Sequence, residues 1–310
     1  MHAAPSVPGP ARLVRAAALL ALLAGPAAVH AQQLEPRAFA PNPVGAHFVL
    51  GSMVHTEGDV LLDASSPIED FKVNLNVYAL GYGQTFALGD RVASIAIVAP
   101  YADGRASGTL DGEPRSVSRA GPGDLTLRIT ASLMPGSALD PVTFARHIPD
   151  RTLGASLVIV APTGEYFGDK LINIGSNRWA FRPELGGARQ FGRWGVDGSI
   201  GAWFYTANDD YFGGSRRKQD PIGAVQGHVS YTFRPRLWLA ADFTWYTGGR
   251  TRIDGVLQGD RQENSRAGLT LSVPVSARQS VKLSWSTGTW TRIGGDFDSA
   301  SLTWQYLWFN

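Results

Sequence analysis

From Val44 to the C-terminus the chain is written in segments of about ten residues in which apolar side chains alternate with small or polar ones. A two-residue period gives each segment one apolar face and one polar face, which suits a strand and not a helix. Leu125, Leu127, Ile129, Ala131 and Leu133 share one face, opposite Thr126, Arg128, Thr130 and Ser132. The same alternation runs through Leu153, Ala155, Leu157 and Ile159, through Leu237, Leu239, Ala241, Phe243 and Trp245, and through Ala300, Leu302, Trp304, Tyr306 and Trp308. Nothing in this part of the chain reaches the roughly 20 consecutive apolar residues of a membrane-crossing helix. A chain of this kind enters a bilayer only as a closed barrel, in which every backbone polar group is paired with a neighbouring strand.

The beginning of the chain points to export. Arg12 and Arg15 precede an apolar run from Ala16 to Ala24, and Val29-His30-Ala31 offers small residues for cleavage, so residues 1–31 read as a secretory signal peptide. Residues 32–43, rich in Pro and Ala, read as an irregular periplasmic arm, and residues 44–310 as the barrel. The complete lack of Cys fits a chain that crosses an oxidising periplasm unfolded. The connections alternate in length. Tight turns are expected at Leu88 to Arg91, Gly192 to Arg193, Arg234 to Arg236 and Ser276 to Gln279. Long polar loops are expected at Glu57 to Lys72, Gly104 to Pro122, Gly164 to Ser176, Asn208 to Asp220 and Gly249 to Glu263. Short periplasmic turns opposite long outer loops are the habit of bacterial outer-membrane barrels. Pro135 to Arg151 is too long for the periplasmic side, so a small helix or an irregular plug is expected there. The expected architecture is all-β: a transmembrane antiparallel up-and-down β-barrel of about 12 strands, each strand with its connection taking roughly 23 residues.

A secreted β-sandwich would share the alternation, but it has no use for a belt of aromatic rings. Trp179, Phe181, Trp194, Phe204, Tyr205, Tyr231, Phe233, Trp238, Trp245 and the run from Trp304 to Phe309 mostly fall near strand ends, where such rings meet the lipid headgroups. With the apolar face toward lipid, parity assigns an inward face that holds Arg128, Arg178, Arg182, Glu184, Asp197, His228, Asp242, Arg266 and Lys282. Charges cost little in a wet lumen and several kcal/mol against lipid. This mixed, weakly basic set suits either a permeation path or a network of pairs that fills the barrel. In the loop from Tyr166 to Asn177, the residues expected to meet an incoming molecule are Tyr166, Asp169, Lys170, Asn173 and Asn177.

Other functions find less support. A formal charge of +2 without a basic run argues against a nucleic-acid partner. His228 and Ser230 share a strand face, but no hydrolase motif surrounds them, so no catalytic residues are assigned. The loop carboxylates Asp59, Asp63, Asp209, Asp210, Asp296 and Asp298 read as turn residues in preference to metal ligands, and no cofactor or metal is expected.

At Asp169-Lys170-Leu171-Ile172-Asn173-Ile174-Gly175, followed by Asn177, Arg178 and Trp179, the chain resembles the outer-membrane family named for the meta-cleavage pathway of phenol degradation. Leu34-Glu35-Pro36-Arg37, Gln219-Asp220-Pro221, Thr247-Gly248-Gly249-Arg250, Asn264-Ser265-Arg266 and Arg292-Ile293-Gly294-Gly295-Asp296-Phe297-Asp298 carry the resemblance through nearly the whole mature chain. It implies a barrel of the bacterial outer membrane and passive uptake of small aromatic or hydrophobic compounds. The expected partners are therefore outer-membrane lipid and a small-molecule substrate, with oligomeric state left open. The expected function is a passive channel in which Arg178, Arg182, Arg266 and Lys282 attract a carboxylate or phenolate. The alternative is a closed structural or surface-interaction barrel, which gains if the lumen charges pair and block the passage. A barrel-embedded lipid hydrolase using His228 and Ser230 is a third reading.

Overall fold

In the computed structural model, residues 34–62, 68–110 and 112–309 are described, and the expected signal peptide over residues 1–31 lies outside them. The strands are β1 (Ala46–Leu61), β2 (Ile68–Leu88), β3 (Arg91–Leu110), β4 (Glu113–Pro122), β5 (Leu125–Ser132), β6 (Arg151–Ala161), β7 (Ala180–Phe191) and β8 (Trp194–Tyr205). Next come β9 (Asn208–Tyr211), β10 (Ser215–Gln219), β11 (Ile222–Arg234), β12 (Leu237–Gly248), β13 (Thr251–Ile253) and β14 (Val256–Leu257). The last three are β15 (Gln262–Pro274), β16 (Gln279–Thr291) and β17 (Gly294–Phe309).

Every wall pairing is antiparallel, and β1 pairs with β17 from Ala46↔Phe309 to Leu61↔Gly294, which closes the sheet on itself. Closure removes the edges that lipid could not satisfy. β4 and β5 both pair with β3 and together make one pass of the wall, broken at Gly123 and Asp124, so twelve passes form the barrel. Burial alternates residue by residue along β11 and β12, as the sequence period requires. The outward row Leu185, Ile200 and Val225 is paired strand to strand and exposed, with Ile200 at 61%.

The expected tight turns are present between β2 and β3, β7 and β8, β11 and β12, and β15 and β16. Four outer loops differ from expectation. β1 with β2, and β3 with β4, run far into the segments read as the first two loops, Glu57 to Lys72 and Gly104 to Pro122. β3 alone has 20 residues, which at about 3.3 Å each greatly overshoots a hydrocarbon core of about 30 Å. These two hairpins stand above the membrane, where one face keeps a buried apolar cluster of Val60, Ile68, Phe71 and Ala106 and polar side chains on the other cost nothing. The loops from Asn208 and Gly249 are likewise not irregular: β9, β10, β13 and β14 form a separate four-stranded sheet at the outer end.

The long periplasmic connection holds the small helix α1 (Pro141–Arg146). Asp140 caps it, its side chain accepting from the backbone N–H groups of Val142 and Thr143, and Pro141 starts it where a missing N–H costs nothing. Not every aromatic in the expected belt faces lipid. Trp194, Tyr231 and Phe233 stack edge to face at one rim, and Tyr306 and Trp308 join Tyr82 and His47 at the same end. Trp238, by contrast, is buried inside the barrel, and Tyr205 packs against the inward-facing Trp203.

Candidate functional site

The inward face brings the charged residues together in two places. On β7, Arg182 and Glu184 are two residues apart and so share a face, and Arg128 reaches them from β5. Glu184 accepts from Arg128 Nη2 at 3.1 Å, from Ser156 Oγ at 2.8 Å, and lies 3.2 Å from Arg182 Nε. The guanidinium of Arg182 also lies over the Trp203 ring, 4.9 Å from its centroid. On the adjoining stretch of wall, register places Asp197 of β8 directly opposite His228 of β11, and His228 opposite Asp242 of β12. His228 Nδ1 lies 2.8 Å from Asp242 Oδ1, and Thr270 Oγ1 donates to the other Asp242 oxygen at 2.7 Å. The first group carries one excess positive charge, and the second carries an excess of carboxylate.

The arm supplies what each group lacks. Residues 34–43, expected in the periplasm, turn into the lumen. The Glu35 carboxylate sits between Arg128, which it meets in a close ion pair, and Arg182, whose Nη2 is 3.3 Å away. Two residues on, Arg37 donates its backbone N–H to Asp197 at 3.0 Å and its side-chain N–H groups to Ser230 at 3.0 Å and Thr232 at 2.7 Å. Its guanidinium stacks 4.5 Å from the centroid of Trp238. Arg37 adopts a positive φ of 63°, a conformation that costs a non-glycine residue about 1–3 kcal/mol and persists only when its surroundings enforce it. The Phe39 ring fills the space over Gly154 and Gly186, where a Cβ on Gly186 would overlap it. The arm thus runs along the inner face of the wall, from β5, β6 and β7 to the adjoining β8, β11 and β12. A cavity of about 160 Å³ remains at its base, beside Phe39, Pro41, Thr85, Met134 and Phe144.

The lumen is less polar than expected. Toward the outer end, Val158, Val160, Ala180, Trp203, Ile222, Ala224 and Tyr246 form a buried apolar cluster inside the wall. A barrel of this strand number has an interior that side chains can largely fill, so inward positions take apolar residues where no water needs to pass. Arg266 is buried on β15 and donates to Ser286 Oγ at 3.0 Å, and Lys282 on β16 lies within electrostatic range of Glu35. Neither belongs to the two charged groups. Ser230 Oγ is engaged by Arg37 and His228 by Asp242, so these two residues serve separate contacts.

The outer-loop candidates stitch their own loop together. Tyr166 donates to the Asp210 carbonyl and accepts from Asn208, Asn177 donates to Asn208, and Asn173 bonds the backbone of Phe167 and Lys170. Asp169 and Lys170 form an exposed ion pair. The adjacent residues Leu171 and Ile172 pack in opposite directions. Leu171 meets Tyr211 and Ile253 of the small sheet, whereas Ile172 meets the cluster of Val60 and Phe71 in the first tall hairpin and Phe297 of β17. The loop therefore lies across the outer mouth. Asp124, at the break between β4 and β5, anchors it by accepting from Gly164 N, Ser176 N and Ser176 Oγ at 2.8, 2.9 and 2.5 Å. Arg178 is buried under this loop, donates to Gln219 Oε1 at 2.5 Å and lies over the Tyr205 ring.

Sequence reasoning missed Glu35, Arg37, Asp124 and Arg217. For the first two a signal existed: they are the charged residues of an otherwise Pro- and Ala-rich arm, opposite in sign to the inward residues they meet. Asp124 was visible only as an interruption of alternation.

The family model described as the MetA-pathway of phenol degradation matches residues 54–304. No curated protein matches the chain. Among solved structures, an outer membrane channel from Pseudomonas putida F1 is 25% identical, with a TM-score of 0.75 over 89% of this chain and 100% of its own. The transport unit of the autotransporter AIDA-I from Escherichia coli is 8% identical, with a TM-score of 0.49 over 95% and 97% of the two chains. The KdgM porin is 10% identical, with a TM-score of 0.44 over 83% and 98%.

Proposed function

We propose that this chain, which belongs to the MetA-pathway of phenol degradation family and lies in the bacterial outer membrane, is a passive channel for small aromatic or hydrophobic compounds, stoppered by its own arm. The observation that carries the reading is the placement of Glu35. A carboxylate held between Arg128 and Arg182 marks a site built for an oxyanion, and in the resting barrel the arm's own side chain occupies it. A substrate carboxylate or phenolate competes for the same two guanidinium groups, and release of the arm frees the path lined by Glu184, Asp197, His228, Asp242, Arg266 and Lys282. The apolar cluster around Val160, Trp203 and Ile222 gives an aromatic ring a surface against which shedding its hydration shell is favourable. The name of the similar Pseudomonas putida protein, an outer membrane channel, supports the same reading.

The test is single-channel conductance of the refolded mature barrel in a planar bilayer, with and without residues 34–43, and with benzoate as probe. The expected result is rare openings of the intact chain, frequent ones after removal of the arm, and block or permeation by benzoate. A second reading, a permanently closed structural barrel, draws on the pairing of the wall charges with Glu35 and Arg37. It predicts silence in both forms, and that outcome would overturn the channel.

A further inference from the structure

At the outer mouth, two arginines are buried side by side without a counter-ion. Arg178, just before β7, is 4% exposed, and Arg217 of β10 is 9% exposed. Gln219 lies two residues beyond Arg217 and so shares its strand face, and Gln219 holds Arg178, which places the two guanidinium groups together. Burial, and then the charge of Arg217, bring the Arg178 pKa down to about 9, as two cations facing one another require.

Neither arginine has an ion-pair partner among the described residues, and Arg178 Nη1 and Arg217 Nε are buried with no hydrogen-bond acceptor. Asp124 offsets part of the charge of Arg178, but both its oxygens accept hydrogen bonds from Gly164 and Ser176 and neither pairs with a guanidinium group. Each guanidinium is backed by a tyrosine ring: Arg178 lies 4.3 Å from the centroid of Tyr205, and Arg217 lies 5.3 Å from that of Tyr211. An aromatic face stabilises a guanidinium cation without using its N–H donors. Beside Arg178 a cavity of about 10 Å³, lined by Asp124, Ser176, Trp203 and Tyr205 among others, has room for one water-sized oxygen.

We propose that Arg178 and Arg217 form an oxyanion-binding site at the outer mouth, which takes the carboxylate or phosphate group of a small molecule arriving from outside. Two neighbouring guanidinium groups offer N–H donors to the two oxygens of such a group, and the anion supplies the charge that the pair lacks. The site is distinct from the Glu35 position deeper in the lumen. Its binding chemistry stands alone, and only its role as a first station for substrate rests on the uptake reading. Of the two sources of oxyanion, an aromatic acid and a phosphate, the flanking Tyr205 and Trp203 rings favour the acid.

The experiment is isothermal titration calorimetry on the detergent-solubilised mature protein, with benzoate, benzyl alcohol and inorganic phosphate as ligands. Benzoate is expected to bind saturably and benzyl alcohol not at all. R217Q is expected to weaken benzoate at least tenfold, and K218Q, which removes a charge from the exposed face of the same strand, to leave it unchanged. Tighter binding of phosphate, lost equally in R217Q, upholds the site and assigns it to phosphate groups. R217K, which keeps the charge but loses the planar fork, gives an intermediate loss and serves if R217Q fails to fold. The proposal is overturned if wild-type protein binds neither anion, in which case the cavity holds water only, or if R217Q binds as tightly as wild type. Because binding is read in detergent, these results are independent of whether the barrel conducts.

Discussion

Replacing Glu35 by alanine takes the arm's only carboxylate from between Arg128 and Arg182 and leaves Glu184 in contact with both arginines. The wall therefore keeps a counter-ion, and the barrel is expected to fold. The arm loses two charge-assisted contacts, each worth about 1.5–3 kcal/mol when well made. The contact to Arg128 lies in a partly wet region, with side chains about a fifth exposed, so screening trims it, while the contact to Arg182 is buried. The combined loss is about 3 kcal/mol, which shifts the balance of docked and released arm by on the order of a hundredfold. Arg37 and Phe39 still hold the arm, so E35A is expected to raise open probability in a planar bilayer without reaching that of the arm-deleted barrel. The double variant E35A/R37A is expected to reach it. The parallel readout is protease sensitivity of the arm, rising in the same order at an unchanged melting temperature of the barrel. If E35A/R37A opens no more often than wild type and its arm stays protected, Glu35 is not the latch and the stopper argument fails.

The same carboxylate sets a pH expectation. Burial alone would raise the Glu35 pKa, but Arg128 and Arg182 outweigh it and bring it from 4.5 down to about 2. A depressed pKa means that the stabilisation is fully present above the ordinary value and disappears only as pH falls through about 2, so open probability should be the same at pH 7 and pH 5, and rise only well below pH 4. Asp124→Ala removes three hydrogen bonds to the loop, two of them from backbone N–H groups, and is expected to loosen that loop by about 2–3 kcal/mol. Hydrogen exchange at Gly164 and Ser176 should then quicken while the strands stay protected. Ile200→Arg places a charge on the lipid face near the middle of β8 and is expected to cost about 2–4 kcal/mol in denaturant unfolding from vesicles, whereas the inward Ser199→Arg should cost less.

The wall was legible in the sequence because it is governed by a local rule. A two-residue period fixes which face is apolar, and an inward charge such as Glu184 or Asp242 is recognisable because a lipid-facing one would be expensive. Closure and strand number follow from the same period and the spacing of the turns. The tall hairpins read as loops because above the membrane their outward face has no need of apolar residues, and the sparse apolar positions that remain, such as Val60, Ile68 and Phe71, do not stand out as a strand period. The arm and the outer mouth were not legible because their order comes from contacts distant in sequence. Glu35 meets Arg182 across 147 residues, and Arg37 meets Ser230 across 193.

Charge balance recovers part of that hidden information. Arg128, Arg182 and Glu184 leave one positive charge over, and Asp197, His228 and Asp242 leave carboxylate over. A narrow lumen does not leave such excesses unmet at low cost, since buried charges need partners as well as hydration. Glu35 and Arg37, separated by a single proline, carry the two missing signs in the order in which the wall needs them. Docking an arm by two opposite charges at two separate points also fixes its direction, because a reversed or shifted arm would place like charge against like. That requirement makes a charge-swapped arm, E35R/R37E, the most demanding check on the argument. It keeps length, composition and net charge, yet it should dock no better than an arm with both side chains removed, and should regain docking when the wall charges it faces are exchanged as well.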